Sequence, residues 1–398
     1  MEATVPKHEG DAPMLKRRLL APGPTPVPEE GLLRQAQPMY HHRTRAFREL
    51  FAEVLGLLKY VYRTKNDTVL FVSAGTGGME AAVTNLLAPH DAALVVRGGK
   101  FGERFAEICQ ACQRPVVPLD VEWGEAVRPD ALAAALKEHP EVKAVFTTFC
   151  ETSTGVLNDI AAISPVVHQT DALLVVDGIS AVGGVEFRTD EWGVDVLVVG
   201  SQKALMTPPG LATVTVSTEA WKRIEANPAR GYYFDLVRNR KSLEKYDPVF
   251  TPAITLVEAL AVGLRRLKAE GIERVWERHR VLARGVRAGV QAMGLELFAR
   301  RPSDSLTAVR LPVEVDGSEV VEMLREEEGI TIAGGQAKLK GKICRVAHMG
   351  YMDAYDCLIA LAALERVLRR LGVEVETGAG VTAALETYEA QAEAVKGT

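Results

Sequence analysis

Short apolar runs alternate with amphipathic segments along the first half of the chain. The runs are rich in β-branched residues and most end at a polar group, which is typical of strands buried on both faces of a parallel sheet. We expect strands at residues 68–72, 92–96, 144–149, 173–176, 194–199 and 211–216. Helices are predicted between most of them, at residues 78–87, 101–113, 129–137 and 159–169. The alternation predicts an α/β fold with a doubly wound, mostly parallel sheet. The last strand follows a tight connection, Pro208-Pro209-Gly210, and is therefore expected to run antiparallel.

Helical periodicity also appears on either side of this region. Apolar positions between residues 44 and 62 mark an amphipathic helix, and a long helical region runs from 252 to 293 with a break at Gly271. A smaller α+β unit follows, with strands at 305–311, 330–333 and 343–347 and helices at 318–327 and 354–371. We therefore predict a large domain over 19–270, a small domain over 271–376 and an Ala- and Glu-rich tail over 377–398.

The first forty residues differ from the rest of the chain. Residues 1–18 are predicted to be a disordered extension. Four prolines between residues 22 and 28 force an extended backbone that cannot join a central strand. We expect residues 19–40 to lie across the surface as a strap.

Composition narrows the class of protein. The 398 residues are 47% hydrophobic and 25% charged, which is ordinary for a globular enzyme of two domains, and the net charge of −5 gives no reason to expect nucleic-acid or membrane binding. No apolar run approaches the roughly 20 residues that span a bilayer, and the N-terminus lacks a signal-peptide core, so a cytoplasmic protein is expected. Five cysteines in such a chain should be reduced, and Cys109-x-x-Cys112 has no second pair to complete a zinc site, so no metal is predicted.

Two strand ends carry the residues that suggest chemistry. Asp177 ends the run 173–176, and Lys203 follows the run 194–199. Ligands bind outside the carboxyl ends of strands in open α/β sheets, so both side chains should face one crevice. A pyridoxal phosphate (PLP) site needs such a pair: an amine for the Schiff base and an acid that keeps the pyridine nitrogen protonated. The alternatives are a solvated surface lysine and an aspartate that caps a turn.

Four further stretches of the sequence could contribute to such a site. The glycine-rich segment 73–80 could bind an anion at a helix N-terminus, or form a plain turn. Phe101 could stack on a flat ring or belong to the core, and the hydroxyls of 151–155 could contact a polar ring substituent or cap a helix. Arg345 could bind a substrate carboxylate or form a structural ion pair.

Together these stretches resemble the class V aminotransferases of PLP fold type I, in the alanine–glyoxylate / serine–pyruvate aminotransferase group. The similarity covers roughly residues 19–371. It rests on six motifs in the family's order: Ala21-Pro22-Gly23-Pro24, SAGTGGMEAAVTN from Ser73, Glu151-Thr152-Ser153-Thr154-Gly155, Asp177-Gly178-Ile179-Ser180, Ser201-Gln202-Lys203-Ala204-Leu205 with Pro208-Pro209-Gly210, and Arg345.

The resemblance implies a role for each matched residue. Lys203 and Asp177 would be catalytic, as the Schiff-base lysine and the partner of the pyridine nitrogen. Arg345 and Gly23 would bind substrate. The remaining residues would bind the cofactor: Thr152 the ring hydroxyl, Phe101 the ring face, Ala74, Gly75, Thr76 and Gln202 the phosphate, and Thr251 the phosphate of the neighbouring subunit in a homodimer. Relatives often have Trp in place of Phe101, and some have His in place of Thr76, which leaves substrate preference open.

The implied activity is a ping-pong transamination. A small L-amino acid, alanine or serine, would donate its amino group to glyoxylate or pyruvate. His42-Arg43 could add a second contact to an anionic substrate group, which would favour aspartate or phosphoserine. A cysteine desulfurase would need a mobile nucleophilic cysteine. A nicotinamide dehydrogenase would leave Asp177 and Lys203 unexplained. A non-catalytic relative of the same fold is a further alternative.

Overall fold

The computed structural model describes residues 15–228 and 230–396, with side chains described up to residue 391. The strands are β1 (Arg18–Leu19), β2 (Asp67–Val72), β3 (Ala92–Arg97), β4 (Val116–Asp120), β5 (Val142–Thr148), β6 (Cys150–Glu151), β7 (Val156–Leu157), β8 (Leu173–Asp177), β9 (Val196–Gly200), β10 (Leu211–Val216), β11 (Glu296–Leu297), β12 (Leu306–Arg310), β13 (Ile330–Thr331), β14 (Ala333–Gly334) and β15 (Ile343–Ala347). The α-helices are α1 (Glu29–Gln35), α2 (Arg45–Tyr62), α3 (Gly75–Leu86), α4 (Lys100–Ala111), α5 (Pro129–Glu138), α6 (Ile160–Val167), α7 (Thr218–Ala226), α8 (Leu236–Leu243), α9 (Ile254–Glu270), α10 (Ile272–Ala292), α11 (Gly317–Glu326), α12 (Ala354–Arg370) and α13 (Ala379–Lys396).

Seven strands form the main sheet in the order β2-β10-β9-β8-β5-β3-β4. Only β10 runs against its neighbours, pairing antiparallel with both β2 and β9, which confirms the predicted antiparallel strand. Asp177 is in register with Thr148 on β5 and with Val198 on β9. The carboxyl ends of these central strands therefore lie at one edge of the sheet, where ligands bind in this class of fold.

Apolar side chains cover both faces of this sheet, because its central strands are hydrophobic along their whole length. Every residue of β9 and β10 is buried. One face packs against α3, α4 and α7, and the other against helices that include α2 and α9. The predicted α/β fold, with helices on both faces, is confirmed.

Several element boundaries differ from the sequence prediction. The glycine-rich segment was expected to be a turn before a helix at residue 78, but α3 begins at Gly75. The first turn of this helix needs glycine, because a Cβ on Gly75 would lie 2.4 Å from Ile179 Cδ1 and one on Gly78 would lie 2.8 Å from Val198 Cγ1. Edge strand β4 was missed because it is only half buried and contains Pro118.

The C-terminal unit is built on a second sheet in the order β11-β12-β15-β14. The single strand predicted at 330–333 is two short strands, since β13 pairs with β1 while β14 pairs with β15. Helix α13 forms most of the predicted tail and packs on α10, where Tyr388 Oη donates to the carbonyl oxygen of Leu282. The predicted helix break is present at Gly271, whose φ is 89°. The division into domains near residue 270 stays a prediction.

The N-terminal segment ties the two sheets together. Residues 1–14 of the predicted disordered extension lie outside the described residues, and Arg18 pairs with Ile330. Leu20 donates to Thr331 O at 2.8 Å and accepts from Ala347 N at 2.9 Å. The predicted strap is non-helical only up to Pro28, after which α1 begins. Among the described helices, none is long and apolar enough to cross a membrane.

Candidate active site

Lys203 and Asp177 face the same cavity at the carboxyl edge of the main sheet. Asp177 is the last residue of β8, and Lys203 lies in the turn that follows β9. The cavity has a volume of about 270 Å³ and both residues line it. Their exposed fractions are only 8% for Lys203 and 5% for Asp177. The structure therefore places the predicted amine and acid together, largely shielded from solvent.

Burial favours the uncharged form of both groups. Removal from water lowers the pKa of the Lys203 amine to about 8 and raises the pKa of the Asp177 carboxyl to about 7. The amine donates to the carbonyl oxygen of Pro22, and Asp177 Oδ1 accepts from the amide of Ile179 at 2.9 Å. An amine that loses its proton near neutral pH is a usable nucleophile, and the carboxylate is stabilised once a cation lies beside it.

Gly23 leaves the space in which the Lys203 side chain lies. Its φ is +111°, and a Cβ at this position would lie 2.2 Å from Lys203 Nζ. The strap also holds the lysine backbone, because Thr25 Oγ1 donates to the carbonyl oxygen of Lys203 at 2.9 Å. The structure thus brings Gly23 to the cavity, where its assigned role in substrate binding stays a prediction.

The residues assigned to the phosphate meet at one end of the cavity. Ala74, Gly75, Thr76 and Gln202 all line it. Ala74 is the N-cap of α3 and no side chain caps this helix. Gln202 Oε1 is buried without a hydrogen-bond partner in the described part of the chain. Uncapped helix amides are donors that an anionic group would complete, whereas the Gln202 oxygen is an acceptor and needs a donor.

Phe101 lies on the cavity wall because Glu151 anchors the helix that carries it. The buried Glu151 carboxylate accepts from the amides of Phe101 at 3.1 Å and Gly102 at 2.9 Å, and Ser153 Oγ accepts from the amide of Lys100 at 3.0 Å. The hydroxyls of this segment were predicted to take part in the site, whereas the role of Glu151 was not predicted. The available signal was a carboxylate directly after an apolar run.

Thr152 connects the cavity to Arg345. Its hydroxyl donates to Ser180 Oγ at 2.5 Å, and Ser180 lines the cavity. Its carbonyl oxygen accepts from Arg345 Nη1 at 2.8 Å. Neither Thr152 nor Arg345 is among the residues that line the cavity itself.

Arg345 is buried and forms no ion pair within the described residues. Its Nε and Nη2 donate to the carbonyl oxygen of Gly334 at 3.0 and 2.7 Å, and the charge of Glu151 acts on the guanidinium only from beyond ion-pair distance. Burial lowers the pKa of the guanidinium to about 10. The ion-pair alternative therefore finds no support within the described residues, and Arg345 retains N–H groups for a carboxylate.

Other predicted residues lie elsewhere. Thr251 is exposed and lines a separate groove beside Tyr233 and Pro252, so it does not contact the cavity of its own chain. Arg43 is paired with Asp247. Four residues of the quoted motifs that were given no role also line the cavity: Pro24, Ile179, Ser180 and Pro209. Arg104 lines it as well and belongs to none of those motifs.

These features define an α/β enzyme whose site fits PLP. The uncapped helix N-terminus and the buried Asp177 carboxyl correspond to the phosphate and the ring nitrogen of that cofactor. Lys203 and Asp177 would hold its reactive carbon and its ring.

Comparison with known proteins gives the family. Residues 32–356 match the family described as Aminotransferase class-V, and the chain belongs to it. It is a PLP-dependent aminotransferase.

Relatives match over nearly their whole length. An uncharacterised aminotransferase of Methanocaldococcus jannaschii is 41% identical over 94% of this chain and 97% of its own. An L-aspartate–glyoxylate aminotransferase of Paracoccus denitrificans is 38% identical over 93% and 96%. The crystal structure of a ureidoglycine–glyoxylate aminotransferase from Bacillus subtilis has a TM-score of 0.90 at 33% identity, covering 95% of this chain and all of that one.

Proposed function

We propose that the enzyme transfers an amino group from a small L-amino acid, alanine or serine, to glyoxylate or pyruvate. The observation that carries this proposal is the pairing of a buried amine and a buried carboxyl in one cavity, both with a pKa shifted toward neutrality. Glyoxylate appears in the names of two of the relatives described above, whereas their amino donors differ.

Each residue has a defined task in this reaction. PLP supplies an aldehyde that condenses with amines and a ring that accepts electrons. Lys203 would hold the cofactor as a nucleophile and, as a free amine, would be the base that removes the substrate Cα proton. Asp177 would keep the ring nitrogen protonated. Arg345 orients the substrate carboxylate through the N–H groups that its backbone contacts leave available.

Arg345 is the only guanidinium that this proposal assigns to the substrate, and one such group favours monocarboxylic donors. Arg43, the other candidate from sequence, is occupied by Asp247. Transfer from aspartate or phosphoserine is the alternative, and the name of the Paracoccus relative favours aspartate.

Cysteine desulfuration is disfavoured by the placement of the cysteines. All five are described and none lines the cavity. Burial raises the pKa of Cys150 to about 11 and that of Cys344 to about 12, so neither is a ready nucleophile.

The test is the visible spectrum of the purified enzyme supplied with PLP. An absorption band of lysine-bound cofactor should bleach with L-alanine or L-serine and return with glyoxylate. Lys203→Ala should bind PLP without this band and without turnover, whereas the surface substitution Lys222→Ala should behave like wild type. If the band responds to aspartate but to neither alanine nor serine, the amino donor is aspartate instead of the two proposed. Wild-type turnover in Lys203→Ala would refute the mechanism.

A cytoplasmic homodimer is part of the same proposal. Thr251 and the aromatic residues Tyr232 and Tyr246 are exposed in the single chain. Contact with a second copy would bury them and bring Thr251 to the neighbouring cavity. Light scattering should give twice the chain mass, and Thr251→Glu should weaken PLP binding although Thr251 lies outside its own cavity. A monomer with intact PLP affinity would refute this part.

A further inference from the structure

Arg104 is a cation in the cavity that no assigned role explains. It follows Phe101 by one helical turn on α4, and its guanidinium carbon lies 4.8 Å from the Phe101 ring centroid. Its Nη1 donates to Thr76 Oγ1 over a long 3.4 Å. Among the described residues no carboxylate forms an ion pair with it, although Arg97 nearby binds Asp120 through two bonds of 2.8 Å.

The backbone that carries Arg104 is fixed relative to the site. The first amides of α4 are held by Glu151 and Ser153, which belong to the turn that contains Thr152. Arg104 and Phe101 share a face of this helix because residues three apart are neighbours. The guanidinium is therefore held against the cavity rather than swinging freely in solvent.

Charge balance indicates an anionic ligand. Three charged residues line the cavity: Asp177, Lys203 and Arg104. With PLP in the cavity, Asp177 would be matched by the ring nitrogen, and Lys203 would hold the aldehyde carbon. The phosphate, with a charge of roughly −1.5 to −2 near neutral pH, then requires another cation. Arg104 is the remaining one among the lining residues.

Two further observations point to the same end of the cavity. Thr76, which Arg104 contacts, lies in the first turn of α3, whose N-terminus has no side-chain cap. The side-chain Nε2 of Gln202, which lines the same cavity, donates to no group of the described chain. An anion there would meet helix amides, a hydroxyl and a guanidinium, and charge-assisted bonds of this kind are the strong ones.

We propose that Arg104, together with the hydroxyl of Thr76, binds the phosphate group of the cofactor. This inference rests on the proposed function, because it assumes that a pyridoxal-type ligand occupies the cavity. It adds a cationic ligand to a site for which sequence analysis assigned only neutral residues.

The test compares ligands with and without the phosphate. We would measure dissociation constants of 4′-deoxypyridoxine 5′-phosphate and 4′-deoxypyridoxine by calorimetry, since neither can react with Lys203. Arg104→Met should weaken binding of the phosphorylated ligand by about 10- to 100-fold, the range for bonds to charged groups. Binding of the unphosphorylated ligand should change by less than about twofold, which also shows that the variant is folded. Arg104→Lys should lie between, because it keeps the charge and loses the planar fork.

The control is Arg97→Met, which removes the same charge outside the cavity and should leave both affinities unchanged. If Arg104→Met weakened the binding of both ligands equally, the assignment of Arg104 to the phosphate would be overturned. Unchanged phosphate affinity together with a raised KM for aspartate relative to alanine would also overturn it, and would make Arg104 a contact for a substrate side chain. If wild type binds neither ligand, the proposed function itself fails.

Discussion

Replacing Asp177 by asparagine in the cofactor-free protein tests whether burial alone sets the charge of this carboxyl. Asp177 accepts one backbone bond and is 5% exposed, and burial raises its pKa from 3.8 to about 7. The unfolded carboxyl ionises near 3.8, whereas the folded one keeps its proton until about pH 7. The folded state therefore binds more protons in this window, so stability falls as pH rises through it.

The size of the effect follows from the same values. Each pH unit well inside the window corresponds to about 1.4 kcal/mol, and the folded carboxyl is half ionised at pH 7, so wild type should lose about 2 kcal/mol relative to Asp177→Asn between pH 5 and pH 7. Above about pH 8 the difference should be constant. Urea unfolding of both proteins without cofactor measures it. Asp171→Asn, a substitution of an exposed residue just before β8, should run parallel to wild type. A difference between wild type and Asp177→Asn that does not vary with pH would refute the reasoning.

Three further substitutions test contacts around the cavity. Gly23→Ala places a Cβ 2.2 Å from Lys203 Nζ at a backbone angle that L residues avoid, so the absorption band of lysine-bound cofactor should be lost while far-ultraviolet circular dichroism is retained. Glu151→Ala leaves buried amides, including that of Phe101, without an acceptor and should lower the free energy of unfolding by about 3–5 kcal/mol, with a smaller loss for Glu151→Gln; equal stability of the two variants in urea would contradict this. Arg345→Lys should raise KM for the amino donor by about 10-fold or more while PLP affinity stays within about twofold, and an unchanged KM would remove Arg345 from substrate binding.

The sheet was predictable because its signal is local. Runs such as 173–176 and 211–216 are apolar at every position, and a strand buried on both faces needs no other pattern. The antiparallel direction of β10 followed from the tight turn before it. Edge strand β4 lacked this signal, since exposure on one side allows polar residues and Pro118.

The assembly of the site was predictable only in part. Asp177 and Lys203 could be placed together because both follow central strands, and the sheet aligns those ends. The hydrogen bond between Arg345 and Thr152 joins residues 193 positions apart, and no sequence periodicity indicates such a contact. The roles of Glu151 and Arg104 could not be predicted for a similar reason: Glu151 accepts from backbone amides of another segment, and Arg104 reaches Thr76 on a different helix. Neither contact leaves a mark in the sequence.

The cavity binds a ligand through groups whose burial lowers the stability of the cofactor-free protein. At neutral pH the cofactor-free chain holds a carboxyl and an amine away from water, and each loses part of its charge. A ligand with a protonated ring nitrogen gives Asp177 its partner, so part of the binding free energy comes from relief of that desolvation. Asp177→Asn should therefore be more stable than wild type without PLP at pH 8 and yet gain less stability when PLP is added. Urea unfolding at fixed PLP concentration measures both, and an equal gain in the two proteins would show that Asp177 contributes nothing to cofactor affinity.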